Sequence, residues 1–269
     1  MQTEVFTFSD RPHVTLTAYW LDKSAEMPNA QVRPAVLVLP GGGYFMCSDR
    51  EAEPIALVFL ARGYHAFVLR YSVGPEATFP QPLHDAEAAL DLLRANATAW
   101  RLDPDRIAVC GFSAGGHLAA ALGALGRVRP NALILGYPCI LDSMSDVLAT
   151  PIPSLDTRVD PQTPPTFIFT TANDALVPVA NSLAFAAALD RARIPFELHV
   201  FQDGVHGLSL ARPHTSSGFA AMNNRRAAAW VDLCLDWLDA LFAPFPADQA
   251  LPVPATGSDQ GSTEPSPVS

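Results

Sequence analysis

Charge is scarce in this chain of 269 residues. Only 16% are Asp, Glu, Lys or Arg, and the 17 bases are outnumbered by 27 acids. The formal net charge of -10 argues against a nucleic-acid partner, because a phosphate backbone needs basic surface to bind it. Cysteine is rare too. Cys47, Cys110, Cys139 and Cys234 lie far apart and form no C-x-x-C pair, which leaves neither a zinc site nor a disulfide framework. No apolar run reaches the roughly eighteen residues that a membrane span needs. The N-terminus also lacks the basic start and apolar stretch of a signal peptide. These absences predict a soluble, cytoplasmic protein. Apolar residues, by contrast, make up 49% of the chain, enough to bury a large core, so disorder throughout is excluded.

Proline is abundant, 25 of 269 residues, and unevenly spread. Residues 244–269 hold Pro244, Pro246, Pro252, Pro254, Pro265 and Pro267 among Ser, Thr and Gly, with almost no large apolar residue after Leu251. That composition cannot offset its ordering entropy by burial and predicts a disordered tail behind a single domain at 1–243. Within the domain, short apolar runs alternate with amphipathic or Ala-rich stretches. Val5 to Phe8 and Val14 to Trp20 read as a hairpin. Ala35 to Leu39, His65 to Arg70, Ile107 to Cys110, Ala132 to Leu135, Phe167 to Thr170 and Glu197 to Phe201 read as strands. Helices are expected at Glu51 to Arg62, Pro82 to Ala99, Ala114 to Leu125, Val179 to Arg191 and Gly218 to Phe242. This order predicts an α/β fold with a mostly parallel central sheet and helices on both faces. Chemistry in such sheets sits in the loops at the carboxyl ends of the strands.

The strongest chemical signal is Gly111-Phe112-Ser113-Ala114-Gly115, a G-x-S-x-G between an apolar strand and an Ala-rich helix. In that context a serine sits on a tight strand-to-helix turn, with helix N–H groups behind it to hold an oxyanion. An ordinary βα turn would also tolerate a serine between glycines. A second signal is Pro40-Gly41-Gly42-Gly43-Tyr44, directly after the strand Ala35 to Leu39. Three glycines after a buried strand expose backbone N–H groups where a side chain would obstruct approach, and such a loop can supply a second oxyanion donor. A phosphate cradle is the competing reading, but G-K-[ST] and G-x-G-x-x-G are both missing.

A nucleophilic serine needs a base and an orienting carboxylate. His206, in Asp203-Gly204-Val205-His206-Gly207, directly follows the last expected strand and is the best base. His117 lies four residues along the helix from Ser113 and reads as a packing residue. Asp174 follows the strand Phe167 to Thr170 and is the expected acid, with Asp142, after the preceding strand, as the alternative. Other features read as structure. Ser48-Asp49-Arg50-Glu51 fits a capping box opening the first helix. Cys110 reads as a buried hydrophobe, and Cys47 is the one thiol close to the glycine loop. The Pro-rich segment Asp142 to Pro165 reads as a loop over the pocket, too short for a separate cap domain.

Taken together, P-G-G-G-Y, S-D-R-E-A-E-P-I-A, G-F-S-A-G-G-H-L-A, N-D-A-L-V-P-V and H-V-F-Q-D-G-V-H-G-L-S-L resemble the α/β-hydrolase esterases of the acetyl esterase and acetylxylan esterase type. The similarity covers roughly Ala35 to Phe242. It implies an α/β-hydrolase fold with Ser113, Asp174 and His206 as catalytic residues, and Gly42, Gly43 and Ala114 as oxyanion-hole donors. It also implies removal of small acyl groups, often acetyl, from carbohydrate esters, with no metal or organic cofactor. Pro40 stands where related esterases carry a histidine, so no role of that imidazole transfers. Cleavage of longer esters or peptides by the same residues, and a non-catalytic small-molecule receptor, are the alternatives.

Overall fold

The computed structural model describes residues 1–247. Eight strands form one sheet in the order β1-β2-β4-β3-β5-β6-β7-β8: β1 (Gln2–Phe8), β2 (Arg11–Trp20), β3 (Arg33–Leu39), β4 (His65–Arg70), β5 (Leu102–Phe112), β6 (Ala132–Gly136), β7 (Thr166–Thr171) and β8 (Phe196–Phe201). The β1–β2 hairpin and the β2–β4 pair are antiparallel, and every later pair is parallel. Strand β3 shows why the central runs are continuously apolar. Ala35, Leu37 and Leu39 face one core while Val36 and Val38 face the other, and all five are fully buried. Each of the buried Val and Leu side chains contributes about 1.5–3 kcal/mol.

Helices α2 (Gln81–Ala95), α4 (Ala114–Ala124) and α5 (Ala180–Ala192) cover the first core through Leu83, Leu90, Leu118 and Phe185. Helix α3 (Ala97–Trp100) is a single turn continuing α2. Helices α1 (Glu53–Ala61) and α6 (Trp230–Phe242) cover the second through Ile55, Phe59, Trp230 and Leu238. The layered fold expected from the sequence is therefore present.

Two local expectations are corrected. Residues 218–229 are not the start of a long helix: they hold two short 3-10 turns, Ala220–Met222 and Ala227–Ala229. The Asn224 side chain accepts from the N–H groups of Arg226 and Ala227 and donates to the Asp203 carbonyl, so it competes with helix bonding. The capping box also fails. Ser48 makes no capping bond, and Glu51 turns its carboxylate inward.

The first residues of the expected tail pack on the body. Pro244 is buried, the Arg33 guanidinium lies 5.8 Å from the Phe245 ring centroid, and the Pro246 carbonyl accepts from Asn29. An aromatic ring and a cation so placed attract one another. The remainder of that segment, 248–269, lies outside the described residues. Among the described residues no helix is long and apolar enough to cross a membrane.

Candidate active site

Strand order brings the chemistry together. Strands β3 and β5 are neighbours at the centre of the sheet, so the glycine loop after β3 lies beside the turn after β5. Ser113 occupies that turn at φ 54° and ψ -117°, left-handed backbone that a non-glycine residue adopts only when its surroundings impose it. The surroundings do impose it. A Cβ on Gly115 would stand 2.1 Å from the Leu39 carbonyl oxygen, so only glycine lets α4 start this close to β3.

The Ser113 Oγ lies 2.8 Å from His206 Nε2, and His206 Nδ1 lies 2.7 Å from Asp174 Oδ2. Since Asp174 accepts, Nδ1 carries the proton and Nε2 presents its lone pair to the serine. The structure thus brings together the three residues singled out in the sequence. The Asp174 side chain is 1% exposed. Burial pushes its carboxyl pKa up, but the His206 hydrogen bond and the Leu176 and Val177 N–H groups outweigh it and hold the value below the usual range. Asp142 is not there. It opens a 3-10 turn, Asp142–Val147, its side chain bonds neither His206 nor Ser113, and its backbone N–H bonds Ser154.

Gly42, Gly43, Ser113, Cys139 and His206 line one cavity of about 410 Å³. Among the described residues the N–H groups of Gly42, Gly43 and Ala114 donate to no other backbone carbonyl, which leaves them available to an oxyanion. Gly42 sits at φ +128°, and a Cβ there would meet the Met46 carbonyl oxygen at 2.2 Å. With Pro40 in place of an imidazole, the loop is held differently: the Tyr71 hydroxyl donates to the Pro40 carbonyl and the Gly41 N–H to Glu51 Oε2. On its outer side the Gly43 carbonyl accepts the Ala149 N–H at 2.9 Å. Ala149 belongs to the loop 142–165, which also places Val147 and Leu148 in the cavity wall, so this segment does roof the pocket.

His117 is fully buried on the inner side of α4, away from the cavity. Its Nε2 faces the Pro153 carbonyl and must donate to it, so its Nδ1 accepts the Tyr44 hydroxyl at 2.8 Å. Burial lowers its pKa to about 4. Below about pH 6.5 an unfolded chain would bind this proton and the folded one would not. Stability should therefore fall as pH drops from about 6.5 towards 4, with His117 supplying on the order of 2–3 kcal/mol of that loss. Urea midpoints measured across this window should decline on acidification, less steeply in His117→Gln; equal midpoints at pH 5 and 7 would sink the assignment. Cys47 is half-buried, and burial pushes its thiol up to about 11, so it carries no thiolate at neutral pH. Among the described residues no three His, Cys, Asp or Glu side chains cluster so as to hold a metal ion.

Comparisons with known proteins agree with this architecture. The BD-FAE family model matches residues 21–148, and that of the prolyl oligopeptidase family matches 149–243. The chain is 38% identical over 218 residues to endo-1,4-beta-xylanase B of Butyrivibrio fibrisolvens, covering 70% of this chain and 34% of that protein. It is 29% identical over 248 residues to the acetylxylan esterase of Xylanibacter ruminicola, covering 83% of this chain and 48% of that protein. The matches thus span about a third to a half of those two relatives. Among solved structures, MGS-M1, an alpha/beta hydrolase enzyme from a deep-sea metagenome library of the Medee basin, is 50% identical with a TM-score of 0.86, covering 90% of this chain and 98% of that one. The acetyl ester-xyloside bifunctional hydrolase of Caldicellulosiruptor lactoaceticus is 37% identical with a TM-score of 0.73, covering 85% and 88%. The chain belongs to the α/β-hydrolase family, and within it is similar to the acetyl esterase and acetylxylan esterase type.

Proposed function

We propose that the protein is a cytoplasmic serine carboxylic-ester hydrolase that removes short acyl groups, acetyl foremost, from acetylated carbohydrates such as xylo-oligosaccharides. The observation that carries the reading is the unbroken hydrogen-bonded line from Asp174 through His206 to Ser113, which ends in a cavity walled by the glycine loop. Ser113 Oγ attacks the ester carbonyl carbon as its proton passes to His206 Nε2. Asp174 keeps the imidazole in the tautomer that can accept this proton and stabilises the imidazolium that forms. The carbonyl oxygen becomes an oxyanion, held by the N–H groups of Gly42, Gly43 and Ala114, each worth about 10²–10³ in rate. The tetrahedral centre collapses, the carbon–oxygen bond to the alcohol breaks, and His206 returns the proton to the departing oxygen. Water then repeats the sequence on the acyl-enzyme.

The segment from Asp142 to Pro165 is 24 residues long and carries five prolines, and of it only Val147 and Leu148 line the cavity, too little chain to enclose a tunnel for a long acyl group. A narrow acyl side discriminates by about 1–3 kcal/mol per methylene. We therefore expect chromogenic acetyl esters to give the highest kcat/KM, with a steep decline beyond butyrate, and acetylated xylo-oligosaccharides to release acetate. An optimum at octanoate with no acetate release would overturn the carbohydrate reading and leave Ser113 in its role.

One observation favours a second reading, a general short-chain carboxylesterase. Phe45 (61% exposed), Met46, Val147 and Leu176 form an apolar rim around the cavity, which suits an apolar alcohol better than a sugar. A higher kcat/KM for phenyl or hexyl acetate than for the acetylated sugar would select this reading. A peptide amide run beside them tests the peptidase alternative.

A further inference from the structure

Glu51 has no part in the steps above, yet it lines the same cavity and is only 3% exposed. A buried carboxylate is costly unless its oxygens are satisfied. Here two neutral donors satisfy them: the Gly41 N–H on Oε2 at 2.9 Å and the Tyr137 hydroxyl on Oε1 at 2.6 Å. Each donor belongs to a different part of the site. Gly41 begins the turn that presents Gly42 and Gly43. The Tyr137 ring stands edge-on to the His206 imidazole, centroids 5.1 Å apart, and its hydroxyl accepts the Ser209 N–H at 2.8 Å, three residues past the histidine. The neighbouring Arg50 reinforces the second link, donating to the Gly207 carbonyl at 2.7 Å while its own carbonyl accepts the Ser209 hydroxyl.

We propose that Glu51 is a positioning residue for ester hydrolysis, locking the glycine loop and the histidine loop into one register so that the oxyanion donors and the base meet the same carbonyl. The proposal rests on the ester-hydrolase reading. Its chemistry is specific to a carboxylate: two donors point at this side chain, and only a group with two acceptor oxygens answers both. Glutamine has the same shape, but its NH2 must face either the Gly41 N–H or the Tyr137 hydroxyl, whose oxygen already accepts from Ser209. One link is then lost, or the tyrosine proton is left without an acceptor.

The test compares Glu51→Gln with Tyr137→Phe and with the double variant, using a short-chain ester and a boronic acid that forms a tetrahedral adduct on the serine. For Glu51→Gln, kcat should fall by about 10–10²-fold, the scale of an ångström-sized misplacement, with KM within about threefold. Affinity for the boronic acid should fall in parallel with kcat/KM. Tyr137→Phe, which keeps the Gly41 link, should lose less, and the double variant should lose less than the product of the two single losses. Wild-type kcat/KM and boronate affinity in Glu51→Gln would overturn the proposal, as would losses that add in the double variant. If Glu51→Gln does not fold, full activity in Tyr137→Phe overturns it instead. The underlying reading fails separately, through turnover that survives Ser113→Ala.

Discussion

Replacing Ser113 with alanine is expected to lower kcat for a short-chain ester by about 10⁵–10⁶, the scale seen when a serine nucleophile is removed from a comparable constellation. The substitution deletes one oxygen and leaves the rest of the machinery in place. Among the described residues the Ser113 hydroxyl is the only nucleophile in hydrogen-bond contact with His206 Nε2. The backbone at φ 54° is imposed by the fit of β3, β5 and α4 rather than by the hydroxyl, so the fold should survive. The measurement pairs steady-state turnover with thermal unfolding. More than a few per cent of wild-type turnover at an unchanged unfolding temperature would place the nucleophile elsewhere.

Asp174→Asn should cost about 10⁴ in kcat. The two Asp174 oxygens are divided between roles: Oδ1 accepts from Leu176 and Val177, and Oδ2 accepts from His206. Asparagine can keep its carbonyl on the two N–H groups only by turning its NH2 towards the imidazole. His206 Nδ1 must then accept, its proton moves to Nε2, and the face towards Ser113 can no longer take a proton. Asp142→Asn, at an exposed turn, should change kcat less than about twofold, as surface substitutions away from a site generally do. Turnover of both variants, with circular dichroism to check folding, decides the matter; the opposite ranking would assign the carboxylate to the loop after β6.

The parts of this molecule legible from sequence are those whose signals are local. The run from Ile107 to His117 carries an apolar strand, a tight turn and a small-residue helix side by side, and the structure reproduces it. Asp174 and His206 were reachable because strand order fixes which loops share an edge of the sheet. Glu51 was not. Its spacing from Ser48 matches a helix cap as well as anything else, and the partner that turns its carboxylate inward, Tyr137, is 86 residues away. The stretch after Gly218 misled for a related reason. Its alanines suit a helix, but the Asn224 side chain occupies the backbone N–H groups that would have begun one. The support for Pro40 likewise comes from a distant residue, Tyr71, for which no local pattern exists.

The bond from the Ala149 N–H to the Gly43 carbonyl restricts how this protein can diversify. Residues that roof the pocket also brace the glycine turn, so lengthening the roof before Ala149 would trade reach over the cavity for precision in the placing of the Gly42 and Gly43 N–H groups. New chain is better accommodated after Leu155, whose N–H is fastened to the Ile140 carbonyl and closes off the braced portion. Between there and β7, the exposed Pro161 and Gln162 offer an entry point. Chain added at that position, at the amino-terminal end of β7 beside Arg129, would lie away from the cavity and leave the bond between Ala149 and Gly43 intact.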